Sequence, residues 1–426
     1  MATSPDASAP RRRPTPFAAL QHRDFRLLWL GLLVSISGSQ MQTAAIHWHI
    51  WMLTHSAFAL GMIGLARLLP IVVLSLVGGV VADTRDRRSV LLLTQTAMAL
   101  VAATLGLLTH LGLDRPWAIY GLTALSAAGV AFDNPARQAL TPNLVPRERL
   151  ANALTLNNIL FQIATIVGPG LAGLCIASFG VGSVYWINAV SFLAVLVALA
   201  RIRTPAHERA PEGRADLAAL RDGLRFVRRS RIIFSTMLVD FLATFFASAN
   251  TLLPVFATQI LNVGPRGYGV LAGAQAMGSL VAGAVVSVWG EIHAKGRVLL
   301  VSVAVYGLAT IAFGLSRAFV LSVLCLAVSG AGDTVSTILR STLRQLLTPD
   351  AMRGRMTSIN MIFFLGGPQL GEVEAGIAAS LLGAPLSVVV GGIATLVLVA
   401  FTAQRVPDLR RYRDTPPVEA SSAASA

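Results

Sequence analysis

The chain has 426 residues, 54% of them hydrophobic and only 13% charged, with a formal net charge of +14. Soluble domains carry about 25% charged residues, so this composition excludes a water-soluble globule and points to a polytopic membrane protein. The two cysteines, Cys175 and Cys325, both lie in apolar runs, which excludes a disulfide framework and a Cys/His metal site and leaves them as small packing residues.

The N-terminal stretch MATSPDASAPRRRPTP is polar and basic. It lacks the short apolar core and cleavage site of a secretory signal, so the first apolar run is expected to stay in the mature chain. A helix needs about 20 apolar residues to cross a bilayer, and twelve runs of that kind follow. After a tail at 1–26, a first bundle over 27–200 holds runs at 27–50, 57–82, 90–112, 116–133, 153–178 and 181–200. A linker at 201–231 contains LAALRDGLRFVRRSRII, with apolar residues at helical spacing among arginines, and reads as a helix lying on a membrane surface. A second bundle over 232–404 holds runs at 232–258, 268–289, 298–315, 318–339, 357–382 and 385–404, and a tail covers 405–426. The predicted fold is all-α and integral to the membrane, with twelve transmembrane helices.

The positive charge follows this topology. With the N-terminus in the cytoplasm and each run crossing once, 30 of the 34 Lys and Arg residues fall on cytoplasmic segments. Arg115, Arg266 and Arg317 fall on outer loops, and Arg67 lies inside a span. Lys/Arg excess marks the cytoplasmic side, so both termini are expected there. The lipid bilayer is then the partner that accounts for the charge, and no nucleic acid is needed.

The two bundles share words. RQALTP begins at Arg137 and RQLLTP at Arg344, each between the fourth and fifth runs of its bundle. Asp83 aligns with Glu291, Arg87 with Lys295, and Gly173 with Gly376. The chain therefore reads as two six-helix repeats in the same orientation. Parallel repeats of this kind surround an axis along the membrane normal and place a substrate site between them near the midplane.

The loop GGVVADTRDRRSV between the second and third runs resembles the cytoplasmic signature of the major facilitator superfamily. Gly79, Ala82, Asp83, Arg87 and Arg88 match it, whereas Val81, Thr84 and Asp86 depart from it. The resemblance implies a cytoplasmic gate, with Gly79, Asp83, Arg87 and Arg88 of one repeat and Glu291 and Lys295 of the other latching the halves. IVGPGLAG in the fifth run resembles the helix element of exporters in this superfamily through Gly168, Pro169 and Gly173. The superfamily's fourth-span arginine is absent, since no Arg lies between Trp117 and Phe132. FRLLWLGLLVSISGSQM, DNPARQALTP, GGPQLGEVEAG and LRRYRDTPP carry a closer resemblance to the enterobactin-exporter family, which includes macrolide and multidrug efflux proteins. That resemblance implies a monomeric, bacterial-type inner-membrane exporter.

Ionisable residues inside spans are costly and mark functional sites by default. Arg67 lies near the middle of the second run, where it suits an anionic substrate group or an acidic partner. Asp240 lies a third to half of the way across the seventh, and Asp333 nearer the cytoplasmic end of the tenth. Glu372 and Glu374 lie midway along the eleventh. Two residues apart on a helix is about 200°, so they face different ways. A carboxyl in a low-dielectric cavity can carry a proton, and Glu372 or Asp240 is the expected carrier. His47 and His49 sit near the outer end of the first run beside Trp48 and Trp51; His47 is a substrate or proton candidate, and the pair gives no metal site. Gln40, Gln42 and Asn188 add further polar groups. With no phosphate-binding loop, the chain is expected to run on a gradient and not on ATP. The expected function is secondary active export, by proton antiport, of a siderophore-like small organic molecule, with multidrug or macrolide efflux as the alternative. A membrane-embedded enzyme or a receptor without transport fits less well, and no cofactor is expected.

Overall fold

The structure, a computed structural model, describes residues 17–203, 225–228, 230–290, 292–349 and 352–412. Most of the expected surface helix in the linker, and Glu291, lie outside these residues.

The first six long helices are α1 (Arg23–Thr54), α2 (Ala57–Thr84), α3 (Arg87–His110), α4 (Pro116–Leu140), α5 (Leu150–Phe179) and α6 (Val181–Arg201). The next six are α7 (Arg231–Phe246), α8 (Gly264–Trp289), α9 (Lys295–Leu315), α10 (Phe319–Leu347), α11 (Arg353–Leu382) and α12 (Ala384–Arg405). Among the described residues, nine segments are long and apolar enough to cross a membrane, α7 counting together with the turns that follow it to Ile260. The other three are α1, α4 and α11. The polar residues of α1 and α4, among them Ser35, Gln42 and Asp133, are buried against other helices, where side-chain hydrogen bonds replace lipid contact.

Local chemistry sets the boundaries. Asp86 caps α3 by accepting the Ser89 N–H at 2.9 Å and the Ser89 hydroxyl at 2.6 Å. This explains the departure from the superfamily signature there, because the position works as a helix cap. The repeated RQ-x-LTP phrase ends a helix twice. Arg137 and Arg344 stand in the last turns of α4 and α10, and Thr141 and Thr348 donate to their carbonyl oxygens at 3.1 and 2.6 Å. Gly180 and Gly383 join α5 to α6 and α11 to α12 with φ near +80°, a conformation that a Cβ would strain.

Three expectations need correction. The fourth and tenth runs were expected to end at 133 and 339, but α4 continues to Leu140 and α10 to Leu347. Arg137, Arg340 and Arg344 therefore belong to helices, and Arg340 is only 1% exposed. An arginine at the end of an apolar run looks like the water boundary; here a carboxylate from another helix takes that place. For the same reason Asp333 sits at the middle of α10, not near its end. The seventh run was expected to be continuous over 232–258. Instead α7 stops at Phe246 and the chain continues through short turns at Ala249–Leu252, Leu253–Val255 and Phe256–Ile260, the last a π turn. Pro254 lacks an N–H and enters in the first turn of the new segment. The Ala247 carbonyl, which has lost its helical partner, accepts from the Tyr306 hydroxyl at 3.0 Å and the Ala249 N–H at 2.9 Å.

Packing repeats as the sequence does. α1 packs on α5 and α6, α2 on α4, and α3 on α4 and α6; the counterparts are α7 on α11 and α12, α8 on α10, and α9 on α10 and α12. Two crossings join the halves, α2 with α11 and α5 with α8. Both are glycine crossings. A Cβ on Gly376 would lie 2.6 Å from the Gly61 Cα, and one on Gly173 would lie 2.8 Å from the Gly269 Cα. All four glycines lie in the half of the molecule away from the start of α1 and the end of α12. On this far side one apolar cluster spans both halves, from Met41, Trp48 and Leu60 to Phe256, Leu271 and Ala375. On the termini side each half keeps its own core, one around Phe25, Leu91 and Leu156 and the other around Leu299, Leu343 and Leu409. The halves are thus fastened at the far side and have separate cores at the termini side.

Candidate functional site

The α2–α11 crossing brings three ionisable side chains together. Gly64 lets α11 approach so closely that a Cβ there would lie 2.7 Å from the Glu372 Cβ. Glu372 on α11 then reaches into the first half, with its Oε1 3.8 Å from the Arg67 Nη1 on α2 and its Oε2 3.8 Å from the His47 Nε2 on α1. Both separations exceed a hydrogen bond, so charge holds the carboxylate while it remains able to exchange partners. The Oε2 atom is buried without a hydrogen-bond partner. The His47 Nδ1 lies 2.9 Å from the Thr43 carbonyl, to which it donates, and Nε2 faces the carboxylate, to which it donates only when the ring is doubly protonated. Near the cluster, the Trp48 and Tyr268 rings meet between the halves at 5.2 Å and a tilt of 37°, and the Tyr268 hydroxyl donates to the Ala44 carbonyl at 2.8 Å. Arg67 and Glu372 stay 19% and 17% exposed, open enough for a ligand to reach them.

Glu374 does not join this cluster. It shares the face of α11 that carries Ile377 and Leu381, both exposed, and is itself half-buried. Asp240 and Asp333 meet elsewhere, deep in the second half. Both face Arg340, whose Nη2 lies 2.8 Å from the Asp240 Oδ1 and 3.5 Å from the Asp333 Oδ1. Asp240 comes from α7, Asp333 and Arg340 from α10. His49 is separate again, held between the Tyr185 hydroxyl at 3.0 Å and the Asp114 carboxylate at 2.8 Å. Asn188 donates to Gln42 at 2.7 Å and Gln40 to Thr165 at 2.9 Å, so these amides knit the first half together.

Of the residues expected at the gate, Arg87 donates to the Ala139 carbonyl and Arg88 to the Ala200 carbonyl, both at 3.0 Å and both within the first half. A Cβ on Gly79 would meet nothing within 4 Å. Lys295 is buried at the start of α9. The exporter-type element sits at two contacts. A Cβ on Gly168 would lie 2.6 Å from the Gln40 Cβ of α1, whereas Pro169 and Gly173 face Gly269 of α8.

Two functional-looking residues escaped the sequence reading. Arg340 was taken as a loop residue. Asp133, at the end of the fourth run, is 4% exposed and accepts from Gln95 at 2.7 Å and Thr94 at 3.2 Å, with Arg137 4.0 Å away. The signal lay in the repeat, since Asp133 and Arg340 occupy the same place in RQ-x-LTP, four residues before the arginine.

Residues 14–419 match the family model described as transmembrane secretion effector, a major facilitator family. The chain belongs to this family. It is a multi-pass transmembrane transporter of the major facilitator type, and its relatives and fold are those of transporters, not enzymes. The transporter is 28% identical to the enterobactin exporter of Citrobacter koseri over 93% of this chain and 95% of that protein. It is likewise 28% identical to the enterobactin exporter of Shigella boydii, over the same shares. Its fold is similar to that of a transporter of the POT family bound to 5-aminolevulinic acid (TM-score 0.75, 12% identity, 91% and 96% of the two chains). It is also similar to a bacterial homologue of the lysosomal transporter Spinster in an inward-facing state (TM-score 0.73, 14% identity, 92% and 99%).

Proposed function

We propose that this transporter exports a small amphipathic organic molecule bearing an anionic group, an enterobactin-type siderophore, across a bacterial inner membrane by proton antiport. The observation that carries this reading is the cluster of Glu372, Arg67 and His47. It joins the two halves, and its contacts are long enough to be exchanged. An anionic substrate would take Arg67 and His47 from Glu372, and the aromatic pair Trp48 and Tyr268 would cover its apolar part. Identity to enterobactin exporters along nearly the whole chain supports the substrate class.

Both termini are read as cytoplasmic, supported by the distribution of Lys and Arg. The fastened far side then faces outward, and the separate cores face the cytoplasm, where an exported substrate enters. Closing that side would let Gly79, Asp83, Arg87 and Arg88 engage Glu291 and Lys295. The crossings built on Gly61, Gly376, Gly173 and Gly269 would part on the outer side. Gly168 and Pro169 would hold α5 in register on α1 during that motion. One chain is read as the transport unit, because both halves of the site come from it.

Binding of iron-free enterobactin to the purified protein tests the substrate site. Arg67→Gln should weaken it by about 10- to 100-fold, the loss expected for one charge-assisted hydrogen bond. Unchanged enterobactin affinity in that variant, with a macrolide or lipophilic cation bound instead, would assign the protein to drug efflux.

A further inference from the structure

The cluster around Arg340 is unexplained by the substrate site. Arg340 is the bulkiest of the side chains that are almost wholly buried. Asp333, Thr337, Arg340 and Arg344 lie at i, i+4, i+7 and i+11, one stripe along α10. Asp240 on α7 faces this stripe. The two carboxylates balance the two arginines, so the cluster is neutral while all four are charged. Its hydrogen bonding is incomplete, since Arg340 Nε, Arg344 Nη1 and Ser336 Oγ are buried without partners.

The geometry ranks the two carboxylates. The Arg340 Nη2 nitrogen has two hydrogens but three acceptors around it. Thr337 at 2.7 Å and Asp240 at 2.8 Å are close, and Asp333 at 3.5 Å is left with a remnant. The Asp240 side chain is 9% exposed and that of Arg340 only 2%, whereas that of Asp333 is 36% exposed. Asp333 is therefore the carboxylate that is both least well held and most open to water. Asp240 is locked to its arginine.

The other groups on the packed helices do not supply a better partner. α9 contributes the Tyr306 hydroxyl, already donated to Ala247, with Lys295 and Arg297 at its termini-side start. α8 has no charged residue from Gly267 to Trp289, and its Tyr268 hydroxyl is donated to Ala44 in the first half. Of the helices packed on α7, α11 carries Glu372, engaged with Arg67, and Glu374, with Arg353 and Arg355 in its first turn; α12 carries Arg405 at its end.

We propose that Asp333 is the site at which the driving proton is taken up and released, that Arg340 is its positioning residue, and that this site is separate from the substrate cluster at Glu372. A proton entering from water adds to the Asp333 carboxylate and makes the neutral acid. Arg340 then turns wholly to Asp240, and the cluster goes from neutral to a charge of +1. Release of the proton to the opposite compartment restores neutrality. The cluster also adjoins Tyr306, the residue that holds the broken end of α7, so its charge state bears on the segment that reaches the far-side contacts. The assignment rests on the proton-antiport reading given above.

Two measurements on full-length protein in liposomes separate the proposals. The first needs no substrate: infrared difference spectra between neutral and acidic buffer follow the protonated-carboxyl band. Asp333→Asn should remove that band, whereas Glu372→Gln and Arg67→Gln should keep it. Arg340→Lys, which keeps the charge but loses the forked geometry, should shift the pH at which it forms. The second compares iron-free enterobactin accumulation driven by a pH gradient with enterobactin counterflow in its absence. The ratio of the two should fall at least about tenfold in Asp333→Asn. A band that survives Asp333→Asn and vanishes in Glu372→Gln would overturn the proposal, as would gradient-driven accumulation that Asp333→Asn and Arg340→Lys leave unchanged. If the band follows Asp333 but no enterobactin moves in the wild type, the substrate reading fails and the proton site stands.

Discussion

Charge at single positions decides much of what this transporter can do. Glu372 sits between Arg67 and His47 at distances too long for hydrogen bonds, so removing its charge frees the Arg67 guanidinium for an anion. Glu372→Gln should therefore tighten binding of iron-free enterobactin at neutral pH by several-fold, about 1 kcal/mol, in a titration of the purified protein. Asp86 shows a residue whose work is purely structural. Partial burial raises its pKa, but the hydrogen bonds from Ser89 and the nearby Arg88 outweigh that and hold it below the ordinary carboxylate value. A lowered folded-state pKa means the cap stabilises α3 above the ordinary value and loses that effect as pH falls through the folded one. Asp86→Ala should cost about 1 kcal/mol at neutral pH, with the difference from wild type shrinking in acid, as read from thermal melts at the two conditions. The sequence made Arg67 and Glu372 visible because a charge in an apolar run stands out. Arg340 was hidden at the edge of its run, and only the position of Asp240 on another helix shows that it is buried.

Among the elements, the seventh span departs most from a plain helix. Its break leaves the Phe246 and Ala247 carbonyls without helical partners. Tyr306 donates to one, and Gly391 of α12 lies so close to the other that a Cβ there would fall 1.9 Å from the oxygen. Tyr306→Phe should remove one of the two hydrogen bonds to the Ala247 carbonyl, which keeps the Ala249 N–H at 2.9 Å, and cost about 1 kcal/mol, whereas Gly391→Ala should destabilise by about 1–3 kcal/mol through overpacking. Melting of each variant in detergent checks both. From sequence, the run 232–258 is apolar enough to read as one helix, and Pro254 near its end gives only a weak signal. What sets the break is tertiary, a hydroxyl from α9 and a backbone crossing with α12. The twelve runs themselves were legible because the bilayer demands long apolar segments. The caps were half-legible, as with the RQ-x-LTP phrase, whose role as a helix ending becomes clear once Thr141 and Thr348 are seen to bond back.

At the scale of the whole molecule, two bundles with the same packing pattern meet at two glycine crossings on one side. Backbones approach there because no side chain intervenes, so a larger residue should prise the halves apart. Gly376→Leu should favour the state open on the far side. A cysteine introduced beside Trp48 should then label faster with a membrane-impermeant thiol reagent added to intact cells, and one beside Gly79 more slowly in everted vesicles. The pairing of halves was legible in the repeat, whereas the side on which they are fastened was not, since the same glycines would serve either state.

The central claim is that the chain moves an enterobactin-type substrate outward in exchange for protons. Everted membrane vesicles holding an acid-inside pH gradient, followed with a gradient-sensitive dye, test it directly. Adding iron-free enterobactin should partly collapse the gradient in wild-type vesicles and should do so far less in Arg67→Gln vesicles of equal protein content. A gradient that stays intact in wild-type vesicles shown to bind enterobactin would contradict proton-coupled export.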